Sequence, residues 1–343
     1  MYTGEIYVLS KRNASGFFNR IETMNEVLET TRHVTERSQQ VTIDKQAFAN
    51  FARKLIEDGI EIPSWSYDYH FFDGGQETVA YLLILDSINF CFWPKPGEVK
   101  WEVQYKSETL SGYYALAASL KKALDSGVPI TRAHYLAELP VGTLRQILGG
   151  KGELQLMEAR AHILNELGEF LNNKYNGEAK RLVEAAGNSA LSLVGLLVEN
   201  IPSFRDGAEY HGKKIYFYKR AQIFAADLYG AFGGKDWGHF KDIAKLTAFA
   251  DYKLPQVLRH VGILKYSPSM EHKVDKGIFL EAGSPEEIEI RANTIWAVEL
   301  IRQELTQMGK GLRAFEIDWI LWNLGQESQF KAKPHHRTVT IYY

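Results

Sequence analysis

Apolar residues recur at three- and four-residue spacing along most of this chain, a period that fits helices and not strands. The cleanest case is Ala221, Phe224, Ala225, Leu228, Tyr229 and Phe232, a single stripe down one helix face. The same spacing predicts helices over 114–126, 132–139, 141–148, 154–174 and 188–199. Residues 27–58 read as two helices split by Val41-Thr-Ile43, with Asp44 as N-cap of the second. The apolar segment 78–93, which carries Asp86 and Asn89, fits helix or strand, with helix preferred, and 214–218 reads as a short strand.

A helix is expected from Asp242 to about Asp251. A second one follows, with Pro255 in its first turn and Gly262 at its end. Ser284-Pro-Glu-Glu287 has the form of a capping box ahead of Ile288, Ala292, Ile295, Val298, Ile301 and Leu305. A last helix spans about 314–324, and 334–343 alternates like a strand. The expected fold is mostly α with a small β component. Residues 1–25 read as an N-terminal extension, and 26–343 as one compact domain or two intimate helical lobes.

Charge narrows the partners. Forty Lys and Arg against 42 Asp and Glu leave a net charge of −2, whereas proteins that grip long nucleic acids usually carry a basic excess. A mononucleotide remains compatible. The one cysteine, Cys91, precludes a disulfide framework or cysteine metal cluster within the chain. The start lacks the pattern of a signal peptide, and no apolar run approaches membrane-spanning length. The expectation is a cytoplasmic monomer that acts on a small molecule, without cofactor, metal or membrane. Phosphate-loop, dinucleotide-glycine, nucleophile-elbow and zinc-protease motifs are all absent.

Several residues sit where chemistry is plausible. Asp251, in Phe249-Ala-Asp-Tyr252, is either a carboxylate facing substrate charge or a cap for the helix that contains Pro255. Lys219 opens the striped helix, where a cation opposes the helix dipole, so it faces an acid or an anionic ligand, or is simply solvated. Asp318 lies between Phe315 and Trp322 at helical spacing. It suits a flat ligand with donors, or a buried ion pair with Arg291 or Arg302. His70 stands in an aromatic loop with Trp65, Tyr67 and Tyr69, as a ligand contact or with no role. His335-His-Arg337 is either an anion site or a surface strand end. For metal it would need a third ligand that the spacing does not supply.

Taken in order, Asp86-Ser-Ile-Asn-Phe-Cys-Phe-Trp93, Arg160-Ala-His-Ile-Leu-Asn-Glu166, Tyr218-Lys-Arg-Ala-Gln222, Leu246-Thr-Ala-Phe-Ala-Asp-Tyr-Lys-Leu-Pro-Gln256, Glu289-Ile-Arg291 and Pro334-His-His-Arg-Thr-Val-Thr-Ile-Tyr-Tyr343 resemble the queuosine salvage protein family. These are the queuosine 5′-phosphate N-glycosylase/hydrolases, and the likeness covers roughly 27–343. The resemblance implies hydrolysis of the N-glycosidic bond of queuosine 5′-monophosphate to queuine and ribose 5-phosphate. It also implies a helical architecture similar to helix-hairpin-helix DNA glycosylases.

By the same resemblance Asp251 is the catalytic carboxylate, Phe249 and Asp318 are base contacts, His70 is a further contact, and Lys219 lies near the active site. Trp322 and Tyr252 are additional candidate substrate contacts. Lys219, Lys253, His335, His336 and Arg337 are candidates for the phosphate. The chemistry is consistent with a carboxylate, because ribosyl–nitrogen cleavage passes through an oxocarbenium-like state. Two other readings fit the architecture: a DNA glycosylase-like enzyme, and a non-catalytic binder of a modified nucleobase.

Overall fold

The computed structural model describes residues 26–343, so the expected extension of residues 1–25 lies outside the described residues. Fourteen α-helices carry the described chain. The β component is three antiparallel two-stranded ribbons: Val41–Ile43 with Leu264–Tyr266, Glu102–Tyr105 with Glu108–Ser111, and Gly207–Tyr210 with Lys213–Tyr216.

Local signals set many helix ends as expected. The Asp44 side chain accepts from Ala47 N at 2.9 Å and starts the Lys45–Glu57 helix. Ser284 Oγ accepts from Glu287 N and starts the longest helix, Pro285–Gln307. The return bond of that cap runs from Gly283 N to Glu287 Oε2, one residue earlier than a standard capping box. The apolar segment after Thr78 is the helix Gln76–Ser87, which stops before Asn89.

Buried apolar side chains form two clusters. The larger gathers the helices Gln76–Ser87, Tyr113–Asp125, Met157–Tyr175, Ala190–Asn200 and Lys219–Ala231. The smaller gathers Lys45–Glu57, Lys253–His260, Pro285–Gln307 and Ala314–Leu324. The segment 246–251 runs along their seam. Leu246, Phe249 and Ala250 pack into the larger cluster, and Ala248 packs into the smaller.

That segment is the main departure from expectation. The helix predicted from Asp242 to Asp251 is one 3-10 turn, Ile243–Lys245, followed by non-helical chain. Residues 334–343 are likewise not a strand. His336, Thr338 and Thr340 are buried in alternation, but one isolated bridge, Phe279 to Arg337, and a lone bond from Cys91 N to Tyr343 O do not make a ladder. Alternation reports a buried face, whereas a ladder also needs a partner edge. The short helices Ala179–Ala185 and Pro268–Asp275 and most of the ribbon strands were not anticipated.

Candidate active site

The seam segment holds its non-helical shape because side chains from three helices take over its backbone bonding. Thr247 N donates to Gln222 Oε1 at 2.9 Å, and Gln222 Nε2 donates to Thr247 Oγ1 at 3.0 Å. Phe249 N donates to Asp318 Oδ2 at 2.7 Å, and Arg291 Nε donates to Ala250 O at 3.2 Å. Buried backbone groups need partners, and here the partners are side chains instead of the next helical turn. Arg291 is itself fixed by two bonds to Asp206, of 2.8 and 2.7 Å, and Asp206 also accepts from Lys219 N.

The clamped segment delivers Asp251 to the wall of a cavity of about 740 Å³, within the range of small-molecule sites. Asp251 fills both roles left open by its position. Its Oδ1 accepts from Lys253 N at 2.7 Å and Leu254 N at 2.9 Å, capping the helix Lys253–His260. Oδ2 makes no hydrogen bond within the described residues, and the residue lines the cavity. Burial raises the Asp251 carboxyl above its ordinary range, and the Lys219 charge opposes that rise.

Lys219 is buried rather than solvated, and its Nζ donates to Asn89 O at 3.1 Å. Burial lowers its pKa, and the nearby Asp251 works against that. Asp318 is not paired with either candidate arginine, since Arg291 binds Asp206 and Arg302 binds Glu299. Burial, reinforced by the Asp251 charge, lifts the Asp318 carboxyl well above its ordinary range. Two carboxyls and one ammonium therefore share a dry wall.

The cavity also brings together His70, Phe249, Tyr252, Trp322 and His335. Trp322 meets Tyr113 and Tyr114 edge-on at centroid distances of 5.7 and 5.4 Å, and Trp65 and Trp319 extend this aromatic wall. The structure does not bring His336 or Arg337 to the wall. His336 is buried, its Nε2 3.1 Å from the Tyr343 hydroxyl, and Arg337 lies over the Trp93 ring. Burial lowers His335 to about 4, leaving it neutral. Its Nδ1 donates to the His336 carbonyl, so Nε2 is an acceptor, poorly suited to phosphate. The cations that line the cavity near one another are Lys253, Lys331 and Lys100.

Sequence reasoning missed Lys100, Lys331, Tyr113 and the acid pair Asp86 and Asp227. Lys100 and Lys331 sit in irregular chain, where periodicity is silent. The acids did leave a signal, since each is a carboxylate inside an otherwise apolar helix. Among the described residues, no group of three or more His, Cys, Asp or Glu side chains could hold a metal ion, and no helix is long and apolar enough to cross a membrane.

The chain is similar to named proteins along most of its length. Residues 69–343 match the family model described as queuosine salvage protein. A protein of Sphaerobacter thermophilus named queuosine 5′-phosphate N-glycosylase/hydrolase is 47% identical over 317 residues, covering 92% of this chain and 97% of that protein. Proteins of the same name from Mus musculus and Dictyostelium discoideum are 39% and 36% identical, each alignment covering 92% of this chain and 98% of the relative.

Proposed function

The chain belongs to the queuosine salvage protein family, and from that premise we propose that it hydrolyses the N-glycosidic bond of queuosine 5′-monophosphate, releasing queuine and ribose 5-phosphate, with Asp251 facing C1′. One observation carries the assignment of parts: a single cavity joins an acid wall, an aromatic wall and a lysine cluster. The substrate has matching parts: a ribose that becomes cationic in the transition state, a flat base bearing an amine, and a phosphate.

Asp251 is the group for the sugar. A fixed carboxylate in a dry site stabilises an oxocarbenium-like centre without the reorganisation that water needs. Its Oδ1 is committed to the helix cap, which orients Oδ2 as the working oxygen. Lys219 favours the ionised form of Asp251. Phe249, Tyr252 and Trp322 hold the base, Asp318 meets its polar edge, and His70 closes the same wall. Lys253, with Lys331 and Lys100, neutralises the 5′-phosphate.

We take the enzyme to act as a monomer; light scattering on the purified protein checks this. We place its action in the cytoplasm, and fractionation of the producing cells tests that location.

The deciding assay incubates the protein with queuosine and with its 5′-monophosphate and follows free queuine by chromatography. Release from the monophosphate, and much less from the nucleoside, is the expected result. Tight queuine binding without release favours a binder instead.

A further inference from the structure

Behind the acid wall, the hydrogen bonds of three cavity-lining residues allow two placements of one proton, an imidazolium His70 with an ionised Asp227 or a neutral His70 with a protonated Asp227, and the burial of both residues disfavours the charged pair. His70 Nδ1 lies 2.6 Å from the Ser66 carbonyl, which can only accept, so Nδ1 carries the ring hydrogen. His70 Nε2 of the neutral ring is then an acceptor, and its one neighbour is the Tyr113 hydroxyl at 2.9 Å. That hydroxyl has a single hydrogen, and Nε2 takes it. The Tyr113 oxygen also lies 3.2 Å from Asp227 Oδ2. This contact is a hydrogen bond only if Asp227 supplies the proton.

We infer that Asp227 is the general acid of the reaction, holding its proton on the Tyr113–His70 chain and passing it to the departing base. The inference rests on the N-glycosidase reading above. Queuine has carbon where guanine has N7, so the base cannot leave by protonation there and needs a proton at another edge.

Burial favours a protonated Asp227 and outweighs the opposing Lys219 charge. Tyr113, Asp86 and Lys219 act on it, and it acts in turn on Tyr81 and Asp318, so the titratable groups around it come from its own helix and from three neighbouring helices. Lys219 alone among them is a cation, and it is also drawn on by Asp251, Asp86 and Asp318. Asp86 is wholly buried beside Asp227, and burial and that neighbouring carboxyl raise it well above the ordinary range. Burial lifts Asp227 to about 7 and holds His70 down near 4, which agrees with a neutral ring and a protonated acid. Tyr113, the hydroxyl partner of Asp227, meets Trp322 edge-on at 5.7 Å, and Trp322 is a proposed base contact, so the acid stands at the base end of the cavity.

The step balances. The C1′–N bond breaks and its electron pair passes to the base. The Asp227 proton moves onto the base. Water adds to C1′ and its surplus proton returns to the Asp227 carboxylate. His70, Tyr113 and Asp86 are positioning residues, because they act through Asp227.

The test compares wild type with Asp227→Asn on two substrates. One is queuosine 5′-monophosphate. The other is 4-nitrophenyl β-ribofuranoside 5-phosphate, whose phenolate leaves without a proton. The expected result is a loss of about 100-fold or more with the natural substrate, and a rate close to wild type with the aryl riboside. The wild-type fall in kcat/KM as pH rises through about 7 disappears in the variant. Retained turnover of the aryl riboside also shows that the variant is folded. Equal losses on both substrates, or no loss on either, overturn the acid role. If the wild type rejects the aryl riboside, the pH profile decides, and an alkaline fall that persists in Asp227→Asn overturns it. Wild-type enzyme that frees no queuine at all overturns instead the reading beneath.

Discussion

At the scale of single residues, Asp251 has two duties that substitution can separate. Asn keeps an oxygen for the Lys253 and Leu254 amides but carries no charge. Asp251→Asn is therefore expected to fold with near wild-type stability and to lose about 100-fold or more of kcat, the scale of removing one electrostatic stabiliser. Asp251→Ala loses the cap as well, at about 1 kcal/mol of further stability. Turnover assays and urea unfolding of both variants check this, and near-normal turnover in Asp251→Asn removes the residue from the mechanism. A cap and a catalyst looked like competing roles in the sequence. A carboxylate has two oxygens, so the folded chain assigns one to each.

At the scale of elements, the segment 246–251 shows why the helical reading there was reasonable and failed. Leu246, Ala248, Phe249 and Ala250 contain nothing that forbids a helix. Gln222, Asp318 and Arg291 bind that backbone from elsewhere, and long-range bonding outweighed local propensity. Replacing the clamp tests this. Gln222→Leu leaves the Thr247 amide buried without its acceptor, at about 1–3 kcal/mol. It should lower kcat as Asp251 drifts; unfolding curves measured beside kcat tell. A second element-scale prediction concerns Gly168, inside the helix Met157–Tyr175. A Cβ there would meet the Ala133 carbonyl and Ala137 amide far inside contact distance. Gly168→Ala should cost about 1–3 kcal/mol by overpacking, with KM unchanged, since Gly168 does not line the cavity.

At the scale of the whole molecule, one site draws on residues from Ile62 to Tyr343, and its electrostatics reach both function and stability. Removing one cation of the lysine cluster, as in Lys253→Ala, should raise KM for the 5′-monophosphate about tenfold, a loss of about 1.4 kcal/mol. It should leave KM for the nucleoside nearly unchanged, and parallel kinetics on the two substrates measure that split. Burial raises Asp227 from its ordinary 3.8 to about 7. The folded chain therefore holds this proton more tightly than the unfolded chain does. The stability so gained is complete below about 3.8 and is lost as pH rises through about 7. Melting temperatures of wild type and Asp227→Asn should accordingly diverge, in the variant's favour, between those values. A gap that stays flat with pH contradicts a protonated, buried Asp227.

The sequence by itself determined the helical character, the N-caps at Asp44 and Ser284, the family, and the prominence of Asp251, Lys219 and Asp318. Each of these is written in short-range spacing or in ordered motifs. Only the tertiary structure decided that Asp251 both caps and faces the cavity, that His336 and Arg337 stand away from it, and that Lys100 and Lys331 join Lys253. It alone set Asp227 beside Asp86 and Tyr113. The physical reason is common to all of these. Hydrogen-bond partnership and desolvation depend on what lies across the fold, and residues such as Asp227 and His70 are 157 positions apart in the chain, by 227 − 70, yet share one hydroxyl.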